Sequence, residues 1–170
     1  MLRKMRLSGL TWTLIGIVIL GILLRLFVLQ PYLIPSGSME PGIVPGDRIL
    51  VNRQSYRLGA PSRGDIVVFA YPRDPSRSFV KRIIAVEGET VELKDNQVFI
   101  NGQLVDEPYL KAGDYPPFGA ETIPKDNVFV LGDNRRQSED SREWGVLPHN
   151  YIIGKAVMIY YPLQRIKLLR

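Results

Sequence analysis

Residues 78–86 read SFVKRIIAV, five large apolar side chains around two adjacent cations. In an extended strand successive side chains point to opposite faces. That places Phe79, Lys81, Ile83 and Ala85 on one face and Val80, Arg82, Ile84 and Val86 on the other. Both faces are otherwise apolar, so at least one of the cations points at covered surface. Segments of the same kind recur on either side: DRILVN (47–52), GDIVVFAY (64–71), TVEL (90–93), QVFIN (97–101), NVFVLG (127–132) and KAVMIYY (155–161). They are short, rich in Val, Ile, Phe and Tyr, and bounded by Gly, Pro, Asn and Asp. Gly-Asp recurs at 46–47, 64–65, 113–114 and 132–133, and Asn101-Gly102 is a hairpin signal. Past the first thirty residues no long stretch keeps a helical amphipathic repeat. The expected fold is mainly β: an antiparallel, barrel-like sheet assembly with a small β insert over about residues 90–123. The Pro- and Gly-rich YLKAGDYPPFGAET (109–122) belongs to that insert.

The N-terminus has another character. From Leu7 to Leu24 no side chain is charged, and after Arg25 the apolar run resumes as LFVL. At about 1.5 Å of rise per residue, such a run is long enough for a hydrocarbon core of about 30 Å. Arg25 is costly at the bilayer centre, about 2.5–3.5 kcal/mol, and less so near an interface. Arg3, Lys4 and Arg6 set the orientation. The expectation is a basic cytoplasmic N-terminus (1–6), one transmembrane anchor (7–29) and an extracytoplasmic β domain (30–170). A cleavable secretory signal would carry a small-x-small cleavage site, which is missing here. A buried core helix fits poorly with the basic start.

Composition excludes several function classes. At 170 residues the chain has room for one ordinary domain and an appendage. The net charge of +5 comes from the two ends, without the basic stripe or aromatic ladder of a nucleic-acid binder. The lack of cysteine removes thiol catalysis and Cys-based zinc sites, and the single histidine, His149, leaves too few ligands for most metal sites. A Ser-His-Asp triad would have to use His149, in the turn-like VLPHNY. No metal and no cofactor are expected.

A few residues after the apolar run comes LIPSGSMEPG (33–42), with Ser36 and Ser38 one residue apart among Leu33, Ile34 and Met39. It reads equally as a linker and as a nucleophile turn. A serine hydroxyl needs a base, and serine–lysine pairing is a known solution where histidine is absent. Lysine can give up its proton when desolvated, whereas arginine stays charged. Lys81, on a strand with apolar faces, is the candidate base.

Five blocks in order then carry a resemblance: PSGSM (35–39) with Pro41, GDRILVNR (46–53), RGDIVVF (63–69), KRIIAVEGE (81–89) and GDNRRQSEDSREWG (132–145). Together they resemble the motif blocks of type I signal peptidases, the serine–lysine membrane endopeptidases of peptidase family S26, over about residues 30–160. The resemblance implies Ser38 as nucleophile and Lys81 as general base. Ser36, with the Ser38 backbone N–H, would form the oxyanion hole, and Ser138 would orient the lysine. Asp140 and Arg142 match a structural ion pair, and Gly132, Asp133 and Asn134 the opening of that block. Pro31, Tyr32, Ile34, Met39, Phe79 and Val80 would line the site for an extended substrate with small side chains at −1 and −3. Arg136-Gln137 stands where the family often has Asp-Asn. Arg135, Arg136, Glu139 and Glu143 are read as facing water. The implied partners are pre-proteins bearing signal peptides and the lipid bilayer, with proximity to the export translocon. The implied location is the plasma (inner) membrane, single-pass. Two rivals stand beside this reading: a self-cleaving repressor of related chemistry, and a non-enzymatic membrane-tethered β-domain that binds protein partners.

Overall fold

A computed structural model describes residues 9–57, 59–110 and 113–169. The chain opens with a helix, α1 (Gly9–Phe27), whose Leu10, Trp12, Ile17 and Val18 are exposed. Among the described residues no helix is long and apolar enough to cross a membrane. The anchor expected over 7–29 overlaps α1 in its described part. Residues 7 and 8 lie outside the described residues, and at Leu29 the chain is already a strand hydrogen-bonded opposite Asn52.

The strands follow in chain order: β1 (Leu29–Leu33), β2 (Arg48–Asn52), β3 (Ile66–Tyr71), β4 (Asp74–Val86), β5 (Thr90–Lys94), β6 (Gln97–Ile100), β7 (Gln103–Leu104), β8 (Phe118–Thr122) and β9 (Asn127–Leu131). A short helix, α2 (Ser141–Trp144), precedes β10 (Leu147–Pro148), β11 (Ile152–Tyr161) and β12 (Lys167–Leu168). One eight-stranded sheet runs β1-β2-β11-β3-β4-β9-β10, with β12 added to β11; a four-stranded sheet runs β7-β6-β5-β8. Every pairing is antiparallel. The expected barrel-like closure is not formed. The large sheet ends on β1 at one side and β10 at the other, and these strands do not pair.

The smaller sheet owes its order to its turns. Asp95-Asn96 and Asn101-Gly102 all take positive φ, the geometry that two-residue hairpins require and that Asn, Asp and Gly tolerate. Its apolar face, Val91, Leu93, Val98 and Ile100, packs with Ile84, Phe129 and Leu131 of the large sheet. A second cluster joins Ile49, Val51, Val68 and Ile159 to Ile34, Met39 and Ile43. Burial of those last three at 4%, 1% and 0% exposure pins the connection between β1 and β2, the segment that carries the paired serines.

Candidate active site

The β1–β2 connection is held along its length. Ile34 N–H donates to Asp47 O at 2.9 Å, Gly46 N–H returns to Ile34 O at 2.9 Å, and Ile43 N–H closes a turn on Met39 O at 2.9 Å. Arg165 grips the Asp47 carboxylate at 2.8 and 3.0 Å. From the opposite side Asn134 N–H donates to Ser38 O at 3.0 Å, and Asn134 Nδ2 to Gly37 O at 3.1 Å. With both neighbouring carbonyls bound and Met39 buried beneath, the Ser38 side chain has one way to go: into the cleft.

There it meets Lys81. The Nζ–Oγ distance is 2.8 Å across 43 positions of sequence. Lys81 is 3% exposed, sits in β4 opposite Val67 of β3, and has the Phe79 ring centroid 5.4 Å from its amine. Burial disfavours the ammonium and brings the lysine pKa down from 10.5 to about 8, with Arg142 pushing the same way and Asp140, Glu139 and Asp133 opposing. A large share of the amine is therefore neutral in mildly alkaline water. A neutral amine can accept the Ser38 proton across this contact. Ser36 is exposed on the cleft, and Ser38 N–H has no acceptor among the described residues.

Behind the lysine the segment 132–145 wraps the site. Asp140 caps α2 and accepts from Gly132 N–H at 3.1 Å, while Arg142 Nε and Nη2 both reach it at 2.8 Å. Ser138 is buried against Gly132, with its hydroxyl making no hydrogen bond. The lysine-orienting bond expected of Ser138 is therefore not formed here. Asp133 holds Arg82 through two bonds, 2.9 and 2.8 Å. The adjacent cations Lys81 and Arg82 of β4 are thus both buried, on opposite faces, where alternation required at least one.

A cleft of about 500 Å³ runs past the pair. Tyr32, Ile34, Met39, Phe79 and Val80 all line it; Pro31, expected with them, is exposed on β1 and takes no part in its wall. A polar hollow of about 590 Å³ beside Glu40 and Asn134 contains neither Ser38 nor Lys81. His149 lies in the turn after β10, outside the cleft. Among the described residues no group of three or more His, Cys, Asp or Glu could hold a metal ion.

Arg135 overturns one expectation. Read as facing water, it is 6% exposed and paired with Glu107 at 2.5 and 3.1 Å, and the partner belongs to the insert, 28 positions upstream. Glu139 is half-buried and accepts from the Tyr71 hydroxyl; Arg136 and Glu143 are exposed as expected. Sequence reasoning also missed the Tyr109 ring 3.8 Å from the Arg82 guanidinium. The signal for Arg82 was present in the apolar faces of β4; nothing local marked Glu107, Tyr71 or Tyr109.

Residues 7–161 match the family described as "Signal peptidase, peptidase S26". The chain belongs to this family. Among relatives, it is 40% identical over 163 residues to a probable signal peptidase I-2 of Synechocystis sp., covering 92% of this chain and 74% of that one. It is 41% identical to the signal peptidase I of Leptolyngbya laminosa (88% and 77% covered) and 38% to signal peptidase I S of Bacillus subtilis (88% and 86% covered). The crystal structure of a signal peptidase I from Enterococcus faecalis matches 56% of this chain and 96% of its own with a TM-score of 0.51 and 32% identity. Homologues of this kind make the chain a signal peptidase by family and a peptidase by class. Ser38 and Lys81 both fall inside the matched signal peptidase span.

Proposed function

We propose that this protein is a membrane-associated endopeptidase that removes N-terminal signal peptides from exported pre-proteins with a Ser38/Lys81 dyad. The observation that carries the reading is the 2.8 Å contact between Lys81 Nζ and Ser38 Oγ, made by a lysine that burial has moved toward its neutral form. The neutral amine takes the Ser38 proton as Oγ attacks the scissile carbonyl carbon. The Ser36 hydroxyl and Ser38 N–H receive the oxyanion. As the C–N bond breaks, the Lys81 ammonium returns the proton to the departing amine. The neutral Lys81 amine then deprotonates a water that attacks the ester carbon, and returns that proton to Ser38 Oγ as the ester C–O bond breaks and the carboxylate product leaves.

Substrate binding follows from two free strand edges. β4 pairs with β9 only from Arg82 onward, so residues 77–81 keep one edge open, and β1 is the terminal strand of its sheet. An extended peptide between them would gain main-chain bonds from both sides. Tyr32, Ile34, Met39, Phe79 and Val80 would then offer shallow apolar pockets to small side chains at −1 and −3. The same residues desolvate Lys81, so specificity and base activation share one cause. The apolar stretch 7–29, with the exposed face of α1, would hold the domain at the extracytoplasmic surface of the plasma membrane, where translocated pre-proteins emerge.

The deciding experiment assays detergent-solubilised protein on a pre-protein. Ser38→Ala and Lys81→Ala should each lower cleavage about a thousand-fold or more, and the wild-type rate should rise with pH along a limb near the lysine value of about 8. Retained cleavage in either variant defeats the mechanism, and a wild type that cleaves no pre-protein favours the non-enzymatic tethered domain.

A further inference from the structure

Glu139 stands between Ser138 and Asp140, yet the reaction scheme above gives it no task. It lines the same cleft as Lys81 and accepts a hydrogen bond from Tyr71 Oη, 68 positions earlier. Tyr71 is itself fixed. It is 4% exposed and stacked on Phe79 with centroids 4.5 Å apart and planes 15° apart, and Trp144 meets its ring at 6.2 Å. Phe79 in turn is the ring beside the Lys81 amine. The Tyr71–Glu139 bond therefore ties the end of β3 to the loop behind Lys81.

The acids around Lys81 are not equivalent. Asp133 is neutralised by Arg82 and Asp140 by Arg142. Glu139 forms no salt bridge among the described residues; its hydrogen-bond partner is the Tyr71 phenol, on which the Arg73 guanidinium also acts. Elsewhere around the site, Arg77 of β4 lies over the Tyr71 and Phe79 rings, and Glu40 of the serine loop lines the other hollow. We propose that Glu139, clamped by Tyr71, is a positioning residue that keeps a negative charge outside any salt bridge beside the Lys81 amine and holds the Ser138 loop in place over it.

The two effects on the amine then oppose each other. Burial drives Lys81 toward the neutral base, and Asp140, largely offset by its partner Arg142, and then Glu139 draw it back toward the ammonium, the form that must protonate the leaving amine. The clamp itself stays protonated, because its bond to Glu139 and, after that, burial raise the Tyr71 hydroxyl above its usual 10.

This inference rests on the dyad reading, and two measurements keep the two apart. The first is kcat/KM against pH on one pre-protein for wild type, Glu139→Gln and Tyr71→Phe. The second is the titration of the Lys81 side chain by carbon NMR in a Ser38→Ala background, with and without Glu139→Gln. Glu139→Gln keeps size and an acceptor for Tyr71 while removing the charge. Both the kinetic limb and the NMR midpoint should move to lower pH, so that the variant keeps a larger fraction of its own plateau rate at pH 7 than wild type does. Tyr71→Phe should move the limb the same way by a smaller step, since its freed carboxylate swings into solvent. Unmoved midpoints with only a lower plateau would reduce Glu139 to a packing role and overturn the proposal. Full cleavage by Lys81→Ala would overturn the dyad reading and this one with it.

Discussion

Gly132 shows how little space the site leaves around single residues. A Cβ at this position would lie 2.2 Å from Ser138 Oγ and 2.5 Å from both Ser138 Cβ and Ser38 O. The last is backbone, which cannot rotate away. Gly132→Ala should cost about 1–3 kcal/mol through overpacking and lower turnover by displacing Ser38; urea midpoints and kcat measured together check both. Lys81 gives the opposite stability effect. Its native pKa is depressed from 10.5 to about 8, so between those values the unfolded chain binds the proton and the native chain does not. Stability therefore rises with pH across that window, and below pH 8 the native state carries the full cost of a buried ammonium, about 3 kcal/mol. Lys81→Met should abolish cleavage, flatten the pH dependence of the unfolding midpoint between pH 8 and 10.5, and stabilise the protein at pH 7. The Ser38–Lys81 contact was legible at this scale because it needs only residue types and their surroundings: a serine in a Gly-containing turn and a lysine on an apolar strand. The Arg135–Glu107 pair was not, because each looks like an ordinary surface charge until the insert folds across the loop.

β4 is the element on which the site depends. Its neighbours Lys81 and Arg82 face opposite ways, one into the cleft and the other toward Asp133 and the Gly64 carbonyl. The fork of Arg82 matches the carboxylate through two parallel bonds, which a lysine ammonium cannot reproduce. Arg82→Lys should therefore destabilise despite keeping the charge, and Asp133→Asn more so, by about 3–5 kcal/mol, since it removes the carboxylate that balances a buried guanidinium. Chemical denaturation of both variants checks this. Asp133→Asn should also reduce activity, because Asp133 adjoins the Asn134 that holds the serine turn. Long strands such as β4 announce themselves through alternation and β-branched content. β1 did not: it is five residues long, starts inside the apolar run and contains Pro31, which an edge strand tolerates because no partner needs its missing N–H. The two-residue strands β7, β10 and β12 are too short to show any period.

At the scale of the whole molecule the chain divides by solvent preference. α1 exposes large apolar side chains along its described length, which water penalises at about 25 cal/mol per Å², whereas the sheets bury theirs. Alkaline carbonate extraction of membranes should leave the protein in the pellet, and release into the supernatant would mean that the apolar stretch does not anchor it. The closed barrel was the natural expectation from many short strands, because local pattern specifies each strand and leaves the pairing of the two edges undetermined. That pairing is a long-range property, and here β1 and β10 lie at opposite ends of the sheet. One consequence concerns distance. β1 is paired with β2 at every one of its five residues, and it starts two positions after α1 ends, so there is almost no slack between the helix and the loop that carries Ser38. At about 3.3 Å per residue the strand is a spacer of roughly 17 Å. The enzyme would thus measure where it cuts: a precursor whose apolar core ends too near or too far from its cleavage point meets the serine out of register, whatever its side chains at −1 and −3.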